Sequence, residues 1–370
     1  MNQEILRRRL VGLRNRRNVN QAVLSDALGF NDRQTLSDIE NGKRLISPEE
    51  LVRAARFFRV EVDYFTDPLE LAGEATFSWR KQIDGVESIK QFESKAGRWI
   101  ATYRHFSRLK GDSVNSSLTQ IDLSEASTFE HALAEGDAVS RSLGLGDVPA
   151  IKVVDVLENQ QNTLALFVDA PAEVSGAACQ LGPLNTIIIN RGESEGRRSF
   201  NLGHELFHLI TWHQMPPPHI ELEEELSSRE KRIEKLADHF AAGLLMPRQS
   251  VEAYVSANPL PNKNEKLAGW LRSGAAHFRV SGQALKWRLV GIGLIKKSVA
   301  MSIPDTNLRV EQGSAERCPP RFSHRFISVL GWGIDQGHLS VRRAAQVTGS
   351  TVDDFANLFA EHGLKTPFDL

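Results

Sequence analysis

The sequence predicts an α+β protein, mostly helical, with a short sheet confined to the middle of the chain. Three observations carry this. Both ends show helical hydrophobic spacing, three β-rich runs lie between residues 163 and 190, and two strongly helical segments follow them directly. At 370 residues, two or three folded units are expected rather than one. The boundaries read as 1–68, a helical linker over 69–126, a mixed unit over 127–295 and a helical C-terminal region over 296–370.

In the first unit, Leu6, Leu10 and Leu13 space one helix, and Asn20-Gln21 opens a second that Gly29 stops. A third runs over about 32–41 and ends at Gly42. Ser47 reads as an N-cap with Pro48 at the first helical position, and Leu51, Ala54, Ala55 and Phe58 give that helix its apolar face. Over 89–110, Phe92, Trp99, Ile100, Tyr103 and Phe106 recur at helical spacing, a connecting helix whose aromatics serve packing. Residues 111–124 are polar and read as a loop; a helix over 130–143 ends at Gly144. Strands are expected over 163–168, 176–181 and 186–190, the last two joined by a turn at Gly182-Pro183-Leu184-Asn185. Helices are then expected over 199–212, 227–245, 267–272, 281–290, 340–348 and 352–362.

The net charge of −1 argues against whole-surface attraction to nucleic acid or anionic membrane, so any such contact must be local. The start is locally basic, with Arg7, Arg8, Arg9, Arg14, Arg16 and Arg17 against Glu4. Cys179 and Cys318 cannot build a disulfide framework and lack metal-motif spacing; they read as two buried thiols in a reducing compartment. No run approaches membrane-span length and no secretory core follows the basic start, so a cytoplasmic protein with no membrane partner is expected.

His204-Glu205-Leu206-Phe207-His208 carries the chemistry. Histidines four residues apart project from one helical face, and neutral imidazole suits Zn²⁺. Glu205 stands beside the metal, where a carboxylate can take a proton from bound water as general base. A catalytic site needs a third protein ligand. A pattern with glycine three and histidine six residues after the second histidine fails, because those places hold Thr211 and Gln214, with His213 one position off. The acidic run 221–225 has no helical context to aim a carboxylate. Glu234 and Asp238 share a face of the next helix, so Glu234 is expected as ligand and Asp238 as acceptor for a histidine ring N–H. Two neutral imidazoles and one carboxylate leave a zinc site at net +1, which preserves Lewis acidity.

Phe200-Asn-Leu-Gly-His-Glu-Leu-Phe-His208, the strand Ile187-Ile-Ile-Asn190 before it and Glu234-x-x-Ala-Asp-His-Phe-Ala-Ala-x-Leu-Leu-Met-Pro247 after it resemble the ImmA/IrrE family of zinc metallopeptidases. The resemblance spans about 127–290 and includes Phe278-Arg-Val-Ser281. It implies a small gluzincin-like fold with a short twisted sheet, His204, His208 and Glu234 as ligands, Glu205 as base, and proteolysis of DNA-bound repressors. An oxyanion donor is left open among His213, His239, His277 and Tyr254.

Gln21 and Ser37-Asp-Ile-Glu40-Asn-Gly42 resemble the XRE (Cro/cI-type) helix-turn-helix family over about 4–67, which implies a five-helix DNA-binding domain. Arg33, Gln34 and Thr35 are then placed to reach base edges, and Gln21, Ser37, Lys43 and Arg44 to contact phosphates, with Glu40 internal. Residues 1–67 hold twelve basic and ten acidic side chains, so the charge attraction is modest. Such domains commonly act as dimers, which makes a homodimer on a double-stranded operator the expectation. Two functions follow. One is a regulator whose zinc peptidase cuts a repressor or antitoxin-like protein, or its own linker; the other is a transcription factor whose zincin-like domain only senses a metal or ligand. An intact Glu205 favours the first.

Overall fold

In the computed structural model, which describes residues 3–71, 75–81, 86–222, 226–261, 264–308 and 318–368, the N-terminal helices form where their caps dictate. They are α1 (Gln3–Arg16), α2 (Gln21–Ala27), α3 (Arg33–Glu40), α4 (Pro48–Phe58) and α5 (Asp63–Thr66), the five expected. Asn20 accepts from the Val23 N–H, Asp32 from the Thr35 N–H, and Ser47 with Glu50 forms a capping box at α4. Each cap contributes about 1 kcal/mol. Leu6, Leu10, Leu24, Leu36, Ile39, Leu51 and Phe58 close a core between them. Buried Arg9 donates to the Tyr64 and Asp67 carbonyls at 3.0 and 2.8 Å, tying α1 to the end of this unit.

The remaining elements are β1 (Thr76–Lys81), α6 (Val86–Lys110), α7 (Phe129–Ser142), α8 (Pro149–Asn159), β2 (Thr163–Val168), β3 (Val174–Leu181), β4 (Leu184–Asn190), α9 (Glu195–Thr211), β5 (Ile220–Leu222), α10 (Ser228–Leu245), α11 (Arg248–Ala257), α12 (Asn264–Phe278), α13 (Gly282–Gly291), α14 (Lys297–Met301), α15 (His324–Asp335), α16 (Val341–Thr348) and α17 (Val352–Glu361). The described strands form one five-stranded sheet in the order β2-β4-β3-β1-β5. β3 runs antiparallel to both β4 and β1, whereas β2 with β4 and β1 with β5 are parallel. Gly182, at φ +60°, makes the β3–β4 turn, a backbone region that suits glycine.

Strand β1 adds an unexpected strand to the stretch read as a helical linker over 69–126. Its six residues are too few to stand out by periodicity, yet they alternate as a strand must: Phe77 and Trp79 are buried on one face, with Ser78 and Arg80 on the other. Helix α8 is not among the expected helices; Pro149 occupies its first turn, where its missing N–H costs nothing. Helices α11 and α15 add to the expected set. Cys179 is buried as expected, but Cys318 is exposed, next to Pro319 in an irregular stretch, and its thiol donates to the Arg191 carbonyl.

Each sheet face buries a separate core. Ala178, Ile187 and Ile189 pack against Leu202, Leu206 and Phe207 of α9 and Phe240 of α10. On the opposite face, Phe77, Trp79, Cys179, Leu166 and Ile188 meet α6 through Phe92 and Tyr103, and α15 through Phe326 and Leu330. The C-terminal region therefore closes the sheet, and the Trp99 indole donates to the Val347 carbonyl at 2.9 Å. Helices α7 and α10 touch at their backbones: a Cβ on Gly136 would lie 2.2 Å from the Phe240 carbonyl oxygen, and one on Gly243 would lie 2.1 Å from that of Leu133. Among the described residues no helix is long and apolar enough to cross a membrane.

A buried carboxyl at the end of α8 makes the fold sensitive to pH. Burial pushes the Glu158 pKa from 4.5 up to about 7, against the hydrogen bonds from Ser323 and the Ala165 N–H and the charge of Arg325. A carboxyl raised in the folded state favours folding below its unfolded pKa, and that support is lost as pH rises through the folded value. Glu158→Gln is therefore expected to stabilise the protein by about 3 kcal/mol at pH 8 relative to its effect at pH 4. Urea unfolding at the two pH values checks this, and equal effects at both would refute it.

Candidate metal centre and nucleic-acid interface

Helix α9 is built to bury one charged turn. Leu202, Leu206 and Leu209 face the sheet core, while His204, Glu205 and His208 are fully buried between sheet and α10. Gly203 lets α10 approach, since a Cβ there would sit 3.2 Å from that of Ala241. Gly176 of β3 makes room for the Glu205 carboxylate: a Cβ on it would lie 3.2 Å from Glu205 Oε1 and 3.0 Å from the Ile188 carbonyl oxygen.

The structure brings the expected ligands together. His204 Nε2 lies 3.0 Å from Glu234 Oε2 and 3.2 Å from His208 Nε2, and His208 Nε2 lies 3.5 Å from Glu234 Oε1. These three side chains form a group whose ligand atoms all fall within 4.8 Å of one another. His204 Nδ1 is 2.9 Å from Asp238 Oδ1, so a proton on Nδ1 donates to that carboxylate and leaves the Nε2 lone pair aimed at Glu234. His204, His208 and Glu234 each offer a ligand atom to one point, and this donor set fits a divalent ion.

Electrostatics point the same way. Burial and the Arg80 charge oppose a proton on His204, yet the hydrogen bonds to Asp238 and Glu234, with the charge of Glu234, push its pKa up to about 10. Burial acts to raise Glu234, but the His208 and His204 rings hold it well below the usual carboxylate range.

A cavity of about 1050 Å³ adjoins this centre, with Glu234, Asp238, Arg197, Phe200, Lys235 and Trp287 among its walls. Of the other residues considered, Thr211 is buried and its hydroxyl donates to the Phe207 carbonyl, and His213 is exposed. His239 stacks on Phe129, and Tyr254 on His277. The acidic run 221–225 begins in strand β5 rather than in a loop, and residues 223–225 lie outside those described. Sequence reading missed Arg80, Gly176 and Asn201. Arg80 reaches Asp238 at 3.5 Å and Asn201 at 3.4 Å, but it comes from a strand far away in sequence and nothing local marks it.

At the other end, Glu40 is internal as expected: Arg14 forks onto it at 2.6 and 3.0 Å, and Gln21 Nε2 donates to it at 2.6 Å. Gln21 in turn accepts from Arg33 Nε at 2.9 Å, so these two cross from α2 to α3. Gln34 is exposed and donates to Asp38, while the Thr35 hydroxyl donates to Asp32. Ser37 accepts from the Asn41 side chain, Lys43 is exposed, and Arg44 forks onto Glu50 at 3.0 and 2.7 Å.

At one end two helices are offset by a short turn, as in a helix-turn-helix protein, and at the other paired histidines face a carboxylate beside the five-stranded sheet, a group that could hold a metal ion. The comparisons agree with both halves. Residues 12–65 match the helix-turn-helix family model, and residues 158–290 match that of the IrrE N-terminal-like domain, a peptidase family. The chain thus joins an XRE-type helix-turn-helix to an ImmA/IrrE-like region. No curated protein matches it.

Proposed function

We propose that this chain is a DNA-binding transcriptional regulator whose second half is a zinc-dependent endopeptidase, acting on a repressor- or antitoxin-like protein or on its own chain. The observation that carries this is the convergence of His204, His208 and Glu234 with Glu205 on the same helical turn. When bound, zinc would polarise the scissile carbonyl and make an attached water acidic. His204, His208 and Glu234 would hold it, with Asp238 fixing the His204 ring. Glu205 takes the water proton as the C–O bond forms and delivers it to the amide nitrogen as the C–N bond breaks. The adjoining cavity has room for a peptide segment, with Phe200 and Trp287 offering apolar contacts. Cleavage that disappears in Glu205→Gln while zinc is retained supports this reading, and cleavage that persists overturns it.

The DNA-binding half has its own test. Gln34→Ala with Thr35→Ala leaves the Thr35 N–H on Asp32, so the α3 cap survives. The pair is expected to weaken operator binding by at least about tenfold, since each side chain that reads a base edge is worth roughly 1–3 kcal/mol. Gel-shift titration at fixed salt measures it; unchanged affinity for the operator would remove Gln34 and Thr35 from the base-reading surface.

A further inference from the structure

We propose that Arg80 is a positioning residue of the metal centre, so that zinc affinity depends on strand β1, the first element after the helix-turn-helix unit. This rests on the zinc-site reading above and adds a residue to it from outside the matched peptidase region.

Arg80 pairs across the sheet with Gly176, the glycine whose missing Cβ leaves space for the Glu205 carboxylate. On that same face the Arg80 guanidinium approaches Asp238 Oδ1 at 3.5 Å and Asn201 Oδ1 at 3.4 Å. Asp238 Oδ1 is also the atom that meets His204 Nδ1 at 2.9 Å. One carboxylate oxygen thus stands between an imidazole that faces the metal and a fixed cation. The Asp238 side chain is 42% exposed, so without an anchor its carboxylate is free to rotate toward solvent and release the ring. A guanidinium on the outer side holds the rotamer in which His204 presents Nε2 to Glu234 and His208.

The anchor is rigid because β1 is. Trp79 is fully buried and stacks on Phe77 at 5.4 Å, with Phe92 of α6 at 5.5 Å. Its backbone N–H donates to the His219 carbonyl at 3.0 Å, and its indole donates to Glu93 at 2.6 Å. The Ser78 hydroxyl donates to the Pro218 carbonyl at 2.7 Å. Packing on a sheet gives better precision than a loop would. Linkage makes the dependence mutual: if β1 in place tightens zinc binding, zinc binding holds β1 in place by the same factor.

The test uses the full chain and compares zinc affinity, by competition with a chromophoric chelator, in wild type, Arg80→Gln, Arg80→Lys, Asp238→Asn and the Arg80→Gln/Asp238→Asn double variant. Arg80→Gln is expected to weaken zinc about 10- to 100-fold, the range typical of outer partners of a metal ligand. Arg80→Lys should recover part of that loss, and Arg80→Gln should add less than about threefold once Asp238 is already Asn, because both changes break one interaction. Wild-type affinity in Arg80→Gln, or losses that simply multiply in the double variant, would overturn the role of Arg80 while leaving the metal centre intact. An Arg80→Gln protein that does not fold assigns Arg80 to the scaffold and also overturns the proposal. Wild type that binds no zinc overturns the metal reading, and this proposal with it.

Discussion

Replacement of Glu205 by Gln is expected to lower peptide-bond cleavage by about 10²–10⁴-fold, the usual worth of a positioned general base, with zinc content unchanged. Gln keeps the shape that fits the space beside Gly176, so the buried turn of α9 should pack as before. What it loses is the ability to take a proton. The converging nitrogen and carboxylate atoms of His204, His208 and Glu234 are untouched by the change. Mass spectrometry of the zinc-loaded chain incubated alone and with repressor-type substrates measures cleavage, and metal analysis of the same samples measures occupancy. A variant that cuts within about tenfold of wild type would remove Glu205 from the proton path. Replacing His208 by Ala is a different experiment, because it is expected to abolish zinc binding along with cleavage.

The second large effect concerns stability. Arg288 is fully buried; its Nε donates to the Met246 carbonyl at 2.8 Å, and its guanidinium meets Asp137 Oδ1 at 2.7 Å. Asp137 also accepts from the Arg248 N–H, so this one carboxylate ties α7 to α13 and to the start of α11. Burial raises the Asp137 pKa in spite of Arg288, and burial lowers that of Arg288 in spite of Asp137. Both ions carry a desolvation cost, which the partner offsets together with the Met246 carbonyl and the Arg248 N–H. Asp137→Ala is expected to cost about 3–5 kcal/mol, because it strands a guanidinium in the interior. Asp137→Leu with Arg288→Met should recover most of the loss, since removing both charges removes the cost of burying either. Denaturant titration of the three proteins checks both statements, and a loss below about 1 kcal/mol for Asp137→Ala would show that water reaches the pair.

Local features were legible because their physics is local. Asn20, Asp32 and Ser47 cap the helices they precede, and the 163–168 run forms β2 as read. His204 and His208 share a face because helical geometry leaves no other arrangement, and Glu234 with Asp238 obeys the same spacing on the next helix. Strand β1 was illegible for the opposite reason. Six residues between two helical stretches alternate over too short a run to stand out, and only the open side of β3 turns them into a strand.

By itself, then, the sequence marked the helix-turn-helix and the proposed ligands and base, since each histidine or carboxylate pair is written within one or two turns of its own helix. Tertiary structure alone decided that the stretch read as a linker completes the sheet, that Gly176 seats Glu205, and that Arg80 meets Asp238. Those contacts depend on strand order and register, which arise from long-range packing of both sheet faces and leave no periodic trace in the chain.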